Sequence, residues 1–387
     1  MTDEELASLV TDLQPKAGDQ TAAALSKTLE LEPEFNGRPY PMVRGPFSNS
    51  AFLPFAAARA MLLIAATPGK SAADAVAWFR KIPKILRADG SAVKVLYGVR
   101  CSEQIALSND VVLVPYARLP PSSAHELMDS HFQANAANPV FGYPIPYAAL
   151  CRRGTIDPFF AEQNKHTPRV PFGDWFEELD IAELLLALTP RAAPSEAGRW
   201  FQYDDRDIDL TGYTFVSRVT GDFRQKESEP ALVTPKSAAG LLTAFEAIKK
   251  TAHQKRLRLA LSRVIRSRSQ LNSGNRAIDL AIALEVLFMN QERDEHSYKI
   301  SLRVARLLRS SLPDRLKAFA EVKKVYDIRS GMVHTGSTDL ELNVNGTKRS
   351  AQDIVEAADL LCAEAIRRFL ELGHIPESDG WREIELA

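Results

Sequence analysis

Proline is spread so unevenly along this chain that it divides it in two. Of 23 prolines, 20 precede residue 231, and only Pro235, Pro313 and Pro376 follow. Proline lacks a backbone N–H and clashes with the preceding helical turn, so it interrupts helices and central strands alike. The first part should therefore be turn-rich and mixed, and the second should be built of long helices. The boundary falls near 225–236, around the polar segment Gln225-Lys226-Glu227-Ser228-Glu229-Pro230. Charge divides the same way. Residues 1–230 hold 23 Lys and Arg against 29 Asp and Glu, and residues 231–387 hold 25 against 20, so the whole-chain charge of −1 conceals an acidic part and a basic one. At 387 residues the chain is too long for one small core. The expectation is an α+β domain over 1–230, a helical bundle over 237–375 and a C-terminal tail over 376–387.

With 45% hydrophobic and 25% charged residues the composition is globular, which excludes disorder and collagen-like chains. The apolar runs Phe52–Ala66 and Ala277–Met289 are broken by Arg59 and by Asp279 and Glu285, and both fall short of the roughly 20 residues a membrane span needs. No membrane association is expected. The start, Met1-Thr2-Asp3-Glu4-Glu5, is acidic where a secretory signal would be basic, so a cytoplasmic protein is expected. Cys101, Cys151 and Cys362 lie far apart without a CxxC pair, as expected for reduced thiols rather than a disulfide frame or zinc site.

In the first part, helices are expected over 51–66 and 72–86. Strands are expected over 94–100, 104–114, 184–189, 200–203 and 213–219, from β-branched and aromatic enrichment between turn residues. In the second part, apolar residues recur at helical spacing over 237–269, 275–290, 298–308, 313–334 and 351–371. Pro313 and Asp314 suit the start of the fourth helix and Gly336 its end.

Three motifs are decoys. Thr67-Pro68-Gly69-Lys70-Ser71 lacks the second glycine of a phosphate loop, since Ile64 stands there, and reads as a turn between helices. His125 and His131 have no cysteine or carboxylate at ligand spacing and read as surface residues. Asn345-Gly346 reads as a tight turn between 340–344 and the last helix.

Chemistry concentrates in Tyr326-Asp327-Ile328-Arg329-Ser330-Gly331-Met332-Val333-His334. Arg329 and His334 stand about 140° apart around a helix, close enough for a long arginine to border the same cleft. A fixed guanidinium beside an imidazole that titrates near neutrality suits a phosphodiester: one holds growing charge on phosphoryl oxygens while the other moves protons. Alone the spacing is weak, because a salt-bridged arginine and a histidine capping a helix satisfy it equally well. Two carboxylates, Asp279 and Glu285, sit in a helix apolar on nearly every side, and such groups are rarely buried without a cation. Arg329 or Arg303 is the expected partner of Glu285, which either only locks the bundle or also orients Arg329. Eight cations, Lys249, Lys250, Lys255, Arg256, Arg258, Arg263, Arg266 and Arg268, fall within twenty residues without an acid. Such a run is either a solvated face or a polyanion footprint.

The ordered segments Leu257–Arg263, Ile278–Glu285, Tyr298–Ala305 and Tyr326–His334 together resemble the Apea-like branch of the HEPN superfamily, over about 237–372. The resemblance implies a bundle that pairs as a homodimer, with two RxxxxH helices meeting in one composite cleft, and in many members a metal-independent endoribonuclease. By position, Arg329 and His334 match the catalytic pair and Glu285 the acidic residue of the preceding helix, with Tyr326 and Ser330 in support. Ser330 departs from the strongly polar Asn, Asp or His that many active members carry there. The function expected is RNA cleavage by 2′-hydroxyl attack, without cofactor or metal, in anti-phage defence or a stress or toxin system. Lys255, Arg256, Arg263 and Arg266 would hold RNA. The alternative is a silent bundle that binds RNA or nucleotides, or dimerises. Residues 1–230 match nothing recognised and would serve as a sensor or specificity domain.

Overall fold

The computed structural model describes residues 1–14, 18–36, 40–44, 49–137, 145–161, 171–211, 216–218, 229–289, 296–337 and 341–386. The chain opens with helices α1 (Asp3–Leu13) and α2 (Asp19–Leu29), strands β1 (Met42–Arg44) and β2 (Asn49–Ala51), and helices α3 (Pro54–Ala66) and α4 (Ala72–Lys81). Strands β3 (Ala88–Tyr97), β4 (Val99–Arg100), β5 (Ile105–Ala106) and β6 (Val111–Pro115) lead to α5 (Ser123–Ala136). Then come β7 (Ala148–Ile156), β8 (Phe160–Ala161), α6 (Phe172–Leu186), β9 (Ser195–Tyr203), α7 (Arg206–Asp209), β10 (Val216–Arg218) and β11 (Ala231–Leu232).

A six-stranded sheet in the order β10-β9-β3-β7-β6-β5, antiparallel throughout, forms the middle of this part. Its central strand β3 is buried on both faces. Val93, Val95 and Tyr97 pack with Met128 and Phe132 of α5, whereas Ala92 and Leu96 join the main core on the side of α6. Period-two alternation accounts for both sets. Gly154 of β7 admits the Trp175 indole of α6: a Cβ there would stand 2.6 Å from the ring.

The second part is helical: α8 (Pro235–Ala238), α9 (Leu241–Lys250), α10 (Gln254–Ser269), α11 (Ser273–Phe288), α12 (His296–Leu308) and α13 (Leu312–Thr335). A hairpin, β12 (Glu341–Val344) and β13 (Thr347–Ser350), precedes α14 (Ala351–Leu372) and α15 (Ser378–Leu386). An α+β part followed by a helical part is thus the architecture. Among the described residues no helix is long and apolar enough to cross a membrane.

Several expectations are corrected. Residues 184–189 are not a strand but the end of α6 and the turn after it. Leu184, Leu185, Leu186 and Ala187 are strong helix formers, and a short apolar run alone does not distinguish a buried strand from a buried helix. The single stretch expected over 237–269 is three helices, interrupted at Gly240 and at 251–253. Expected strand 200–203 falls within β9, but 94–100 is broken at Gly98 into β3 and β4, and 104–114 is a hairpin of β5 and β6 turned at 107–110; residues 213–215 and 219 of the last expected strand lie outside the described residues. So do 225–228 of the expected boundary, beyond which β11 pairs in parallel with β4 and ties the start of the second part to the first. Residues 376–387 are not a free tail: α15 buries Trp381 completely against Phe288 and Phe369. Asn345 and Gly346, both at positive φ (50° and 83°), turn the chain into a second strand rather than directly into the last helix. Thr67–Ser71 is the helix-to-helix turn, with Ser71 capping α4. His125 is half-buried, its ring stacked on Trp200.

One buried cluster runs through both parts, so they share a core. The helix α6 is the hinge-pin of that union. Its Glu177 and Glu178 meet Arg258 and Lys249, each at 2.7 Å, and beyond its end the carbonyls of Ala187, Thr189 and Ala192 accept from Arg268.

Candidate functional site

The helix α13 carries the site because its ends are well defined. Ser311 caps it through the Asp314 amide, a proline stands in the first turn, and Gly336 closes it in the left-handed conformation at φ 70°. Its Val322, Val325, Tyr326 and Ile328 are buried, and it packs on α11, α12 and α14. This packing sets Arg329 toward α11. There Glu285 receives it, with Nη1 at 3.2 Å from Oε1. Of the two partners open in the sequence, Arg329 is the one used; Arg303 instead meets Glu385 at 2.6 Å and the Phe288 carbonyl at 2.6 Å.

Tyr326 lies beneath this pair. Its ring centroid is 5.9 Å from the Arg329 guanidinium carbon, and its hydroxyl donates to the Ala281 carbonyl at 3.4 Å. Burial, with the charge of Glu285 adding to it, pushes its phenol well above the ordinary range. Tyr326 is therefore a neutral donor and a platform. The Arg329 and Glu285 side chains keep 38% and 27% exposure, so the guanidinium is held by one carboxylate yet remains open to a ligand.

Ser330 and His334 are exposed, the latter in the last turn of α13. The structure thus joins Arg329, Glu285 and Tyr326. Among the described residues no hydrogen bond or ion pair links His334 to them. Between the two lies Gly331, over which the chain folds back after the helix: a Cβ there would stand 3.1 Å from the Ser337 carbonyl.

The basic run is not a free stripe. Arg256 is half-buried and caps the end of α11, donating to the carbonyls of Val286 at 2.9 Å and Met289 at 3.0 Å, so its assignment to RNA is corrected. Arg263 and Arg266 converge on the buried Asp279 at 3.0 and 3.5 Å, which answers that carboxylate's need for a cation. Arg268 is buried against Asp359 at 2.9 Å. Lys255 is exposed, and Arg266 keeps 63% of its side chain in solvent. Local spacing identifies a cation, but only packing says what it faces.

The sheet also carries an ionic cluster around one buried lysine, which no expectation from the sequence included. Lys94, 2% exposed, places its ammonium among Asp180 at 2.6 Å, Glu196 at 3.3 Å and Glu183, with Arg199 joining Asp180 at 3.2 Å. The signal was present: a lysine in the middle of the apolar strand Ala92-Val93-Lys94-Val95-Leu96. Burial alone would lower the Lys94 ammonium, but the three carboxylates hold it above the ordinary lysine value. Burial and the neighbouring carboxylates push Glu183 up. Asp180, Glu183 and Glu196 are close enough to share a metal ion, yet the ammonium already stands among them, so they do not fit one.

Set against family models, curated proteins and solved structures, the chain matches none.

Proposed function

We propose that the helical part is a HEPN-type bundle of the Apea-like branch and that the protein is a metal-independent endoribonuclease. The observation that carries this reading is the half-open Arg329–Glu285 pair, with His334 exposed five residues further along the same helix. Glu285 fixes the guanidinium without consuming its remaining donors, which suits a group that must meet phosphoryl oxygens.

The chemistry is transesterification within the RNA. His334 takes the proton of a ribose 2′-hydroxyl, whose oxygen attacks phosphorus, and the bond from phosphorus to the 5′-oxygen breaks as that oxygen is protonated. The products are a 2′,3′-cyclic phosphate and a 5′-hydroxyl. Arg329 stabilises the charge that builds on the non-bridging oxygens. Because Arg329 is drawn toward α11 while His334 lies on the open surface, two α13 helices of a homodimer would complete one cleft between them. With Arg256 committed to the end of α11, phosphate contacts fall to Lys255 and the outer side of Arg266 and Arg263.

The test is incubation of the full-length protein with labelled RNA in EDTA beside His334→Ala and Arg329→Ala. Cyclic phosphate ends from the parent are expected, with each variant at least about 100-fold slower. His334→Ala cutting as fast as the parent would refute the mechanism.

A second reading, a silent bundle that dimerises or binds nucleotides, is favoured by one observation: most of the basic run is paired within the chain, at Glu177, Glu178, Asp279 and Asp359. Overexpression separates the two. A nuclease slows host growth and His334→Ala restores it, whereas a silent bundle gives equal growth.

A further inference from the structure

At the seam between the two parts lies a cavity of about 450 Å³. Its walls are Pro190 and Arg191 from the turn after α6, Arg268 at the end of α10, Arg276 at the start of α11, and Glu356, Asp359 and Leu360 of α14. Arg268 and Asp359 satisfy each other through hydrogen bonds of 2.9 to 3.1 Å, and the remaining Arg268 donor serves the three carbonyls of 187–192.

Arg276 is different. It is 5% exposed, its Nε has no hydrogen-bond partner, and the carboxylate paired with it, Glu356, stands 3.9 Å away and also accepts from Gln352. A buried guanidinium with an unmatched donor is costly, and native structures seldom leave one without a reason. Burial, the largest influence, lowers its pKa below the ordinary arginine value, and the charges of Asp359 and Glu356 offset this only in part. A second cation stands nearby: Arg191 is exposed and held at φ 63°, in the left-handed region that non-glycine residues seldom adopt. The buried hydroxyl of Thr189, two residues earlier, also lacks a partner.

We propose that this cavity binds a phosphomonoester carried on a small body of nucleotide size. Arg276 and Arg191 clamp the phosphate from two sides, and Pro190 and Leu360 offer apolar walls to the remainder. A guanidinium fork matches phosphate oxygens in pairs. Of the two carboxylates in the lining, Asp359 is committed to Arg268 and Glu356 opposes any anion, so the ligand that gains here is one whose oxygens engage both remaining arginines. The volume falls in the range of small-molecule sites, roughly 300–1,000 Å³. The lining includes none of Arg329, Glu285 and His334, and the proposal stands whether or not the chain cleaves RNA.

Calorimetric titration of the full-length protein with AMP, GMP, ribose 5-phosphate, inorganic phosphate and adenosine tests it. At least one phosphate-bearing probe should bind at millimolar or lower concentration, and adenosine should not. Nucleotides binding tighter than inorganic phosphate would assign the apolar walls to the base; equal binding would mean that the phosphate alone is read. Arg191→Gly, which suits the backbone conformation, and Arg276→Met should each weaken binding at least about tenfold. Glu356→Gln should tighten it. Should Arg276→Met fail to fold, Arg191→Gly and Glu356→Gln still decide. Binding of no phosphate-bearing probe, or affinity unchanged by Arg191→Gly, overturns the proposal.

Discussion

Each part of the molecule holds a cation against carboxylate, and the two cations differ in how completely they leave water. In the sheet, Lys94 is sealed beneath α6 with three carboxylates around it. In the bundle, Arg329 meets the single carboxylate of Glu285 and more than a third of its side chain stays in solvent. A cation so fully buried acts on the fold alone, because removing it leaves the carboxylates around it uncompensated in a poor dielectric. A half-open pair contributes little to folding, since water competes for both charges. What it offers instead is a charge already oriented when a ligand arrives.

The largest effect that sharpens this contrast is expected at Lys94. Replacing it by methionine keeps the unbranched shape, one atom shorter, and removes the charge from among Asp180, Glu183 and Glu196, and should cost about 3–5 kcal/mol. Urea unfolding followed by circular dichroism measures it, and a loss as small as that of an exposed pair would erase the distinction. A smaller effect is expected in acid at Glu178, where the two parts touch. Burial alone would raise this carboxyl, but hydrogen bonds from Arg152 and Lys249 hold it below its ordinary value of 4.5. The native state then binds fewer protons than the unfolded chain, so its contribution is complete above about 4.5 and is lost as pH falls through the depressed value. Thermal melts from neutral to acid pH should show Glu178→Gln with a flatter acid limb than the parent; superimposable profiles would deny the carboxylate that role. The smallest effect on stability, within about 1 kcal/mol, is expected for Glu285→Gln. If the nuclease reading holds, that variant still loses most of its cleavage, because the guanidinium is no longer oriented. A large drop in melting temperature would instead make Glu285 a structural lock like the carboxylates around Lys94.

The charge imbalance between the parts also has an answer in the fold. The helix α6 carries Asp174, Glu177, Glu178, Asp180 and Glu183, and it lies where the second part presents Lys249 and Arg258. The acidic and basic parts therefore neutralise each other at their shared face. Eight cations in twenty residues looked like a surface for a polyanion, and spacing alone carried no information about the acidic helix some 80 residues earlier. The partner of Asp279 is more local, since Arg263 and Arg266 stand on the helix just before it. Glu285 was legible for a related reason: a carboxylate amid Ile282, Leu284 and Met289 requires a cation, and few arginines are within reach of it. Arg276 and Arg191 could not be read as a pair, because one sits in the first turn of a helix and the other in a turn some 85 residues earlier.

By itself the sequence determined where the long helices after residue 270 lie, where α13 begins and ends, and that Arg329, His334 and Glu285 belong to two neighbouring helices of one bundle. These are properties of local order: proline and glycine placement, capping residues, and apolar residues repeating with the pitch of a helix. Only the tertiary structure decided that 184–189 is the end of a helix and a turn, that the last residues cover Phe288 and Phe369, and that Arg256 caps a helix rather than facing solvent. It also decided which charges are closed off and which remain open. Burial and ion pairing depend on distances between residues remote in the chain, and a one-dimensional pattern does not contain those distances.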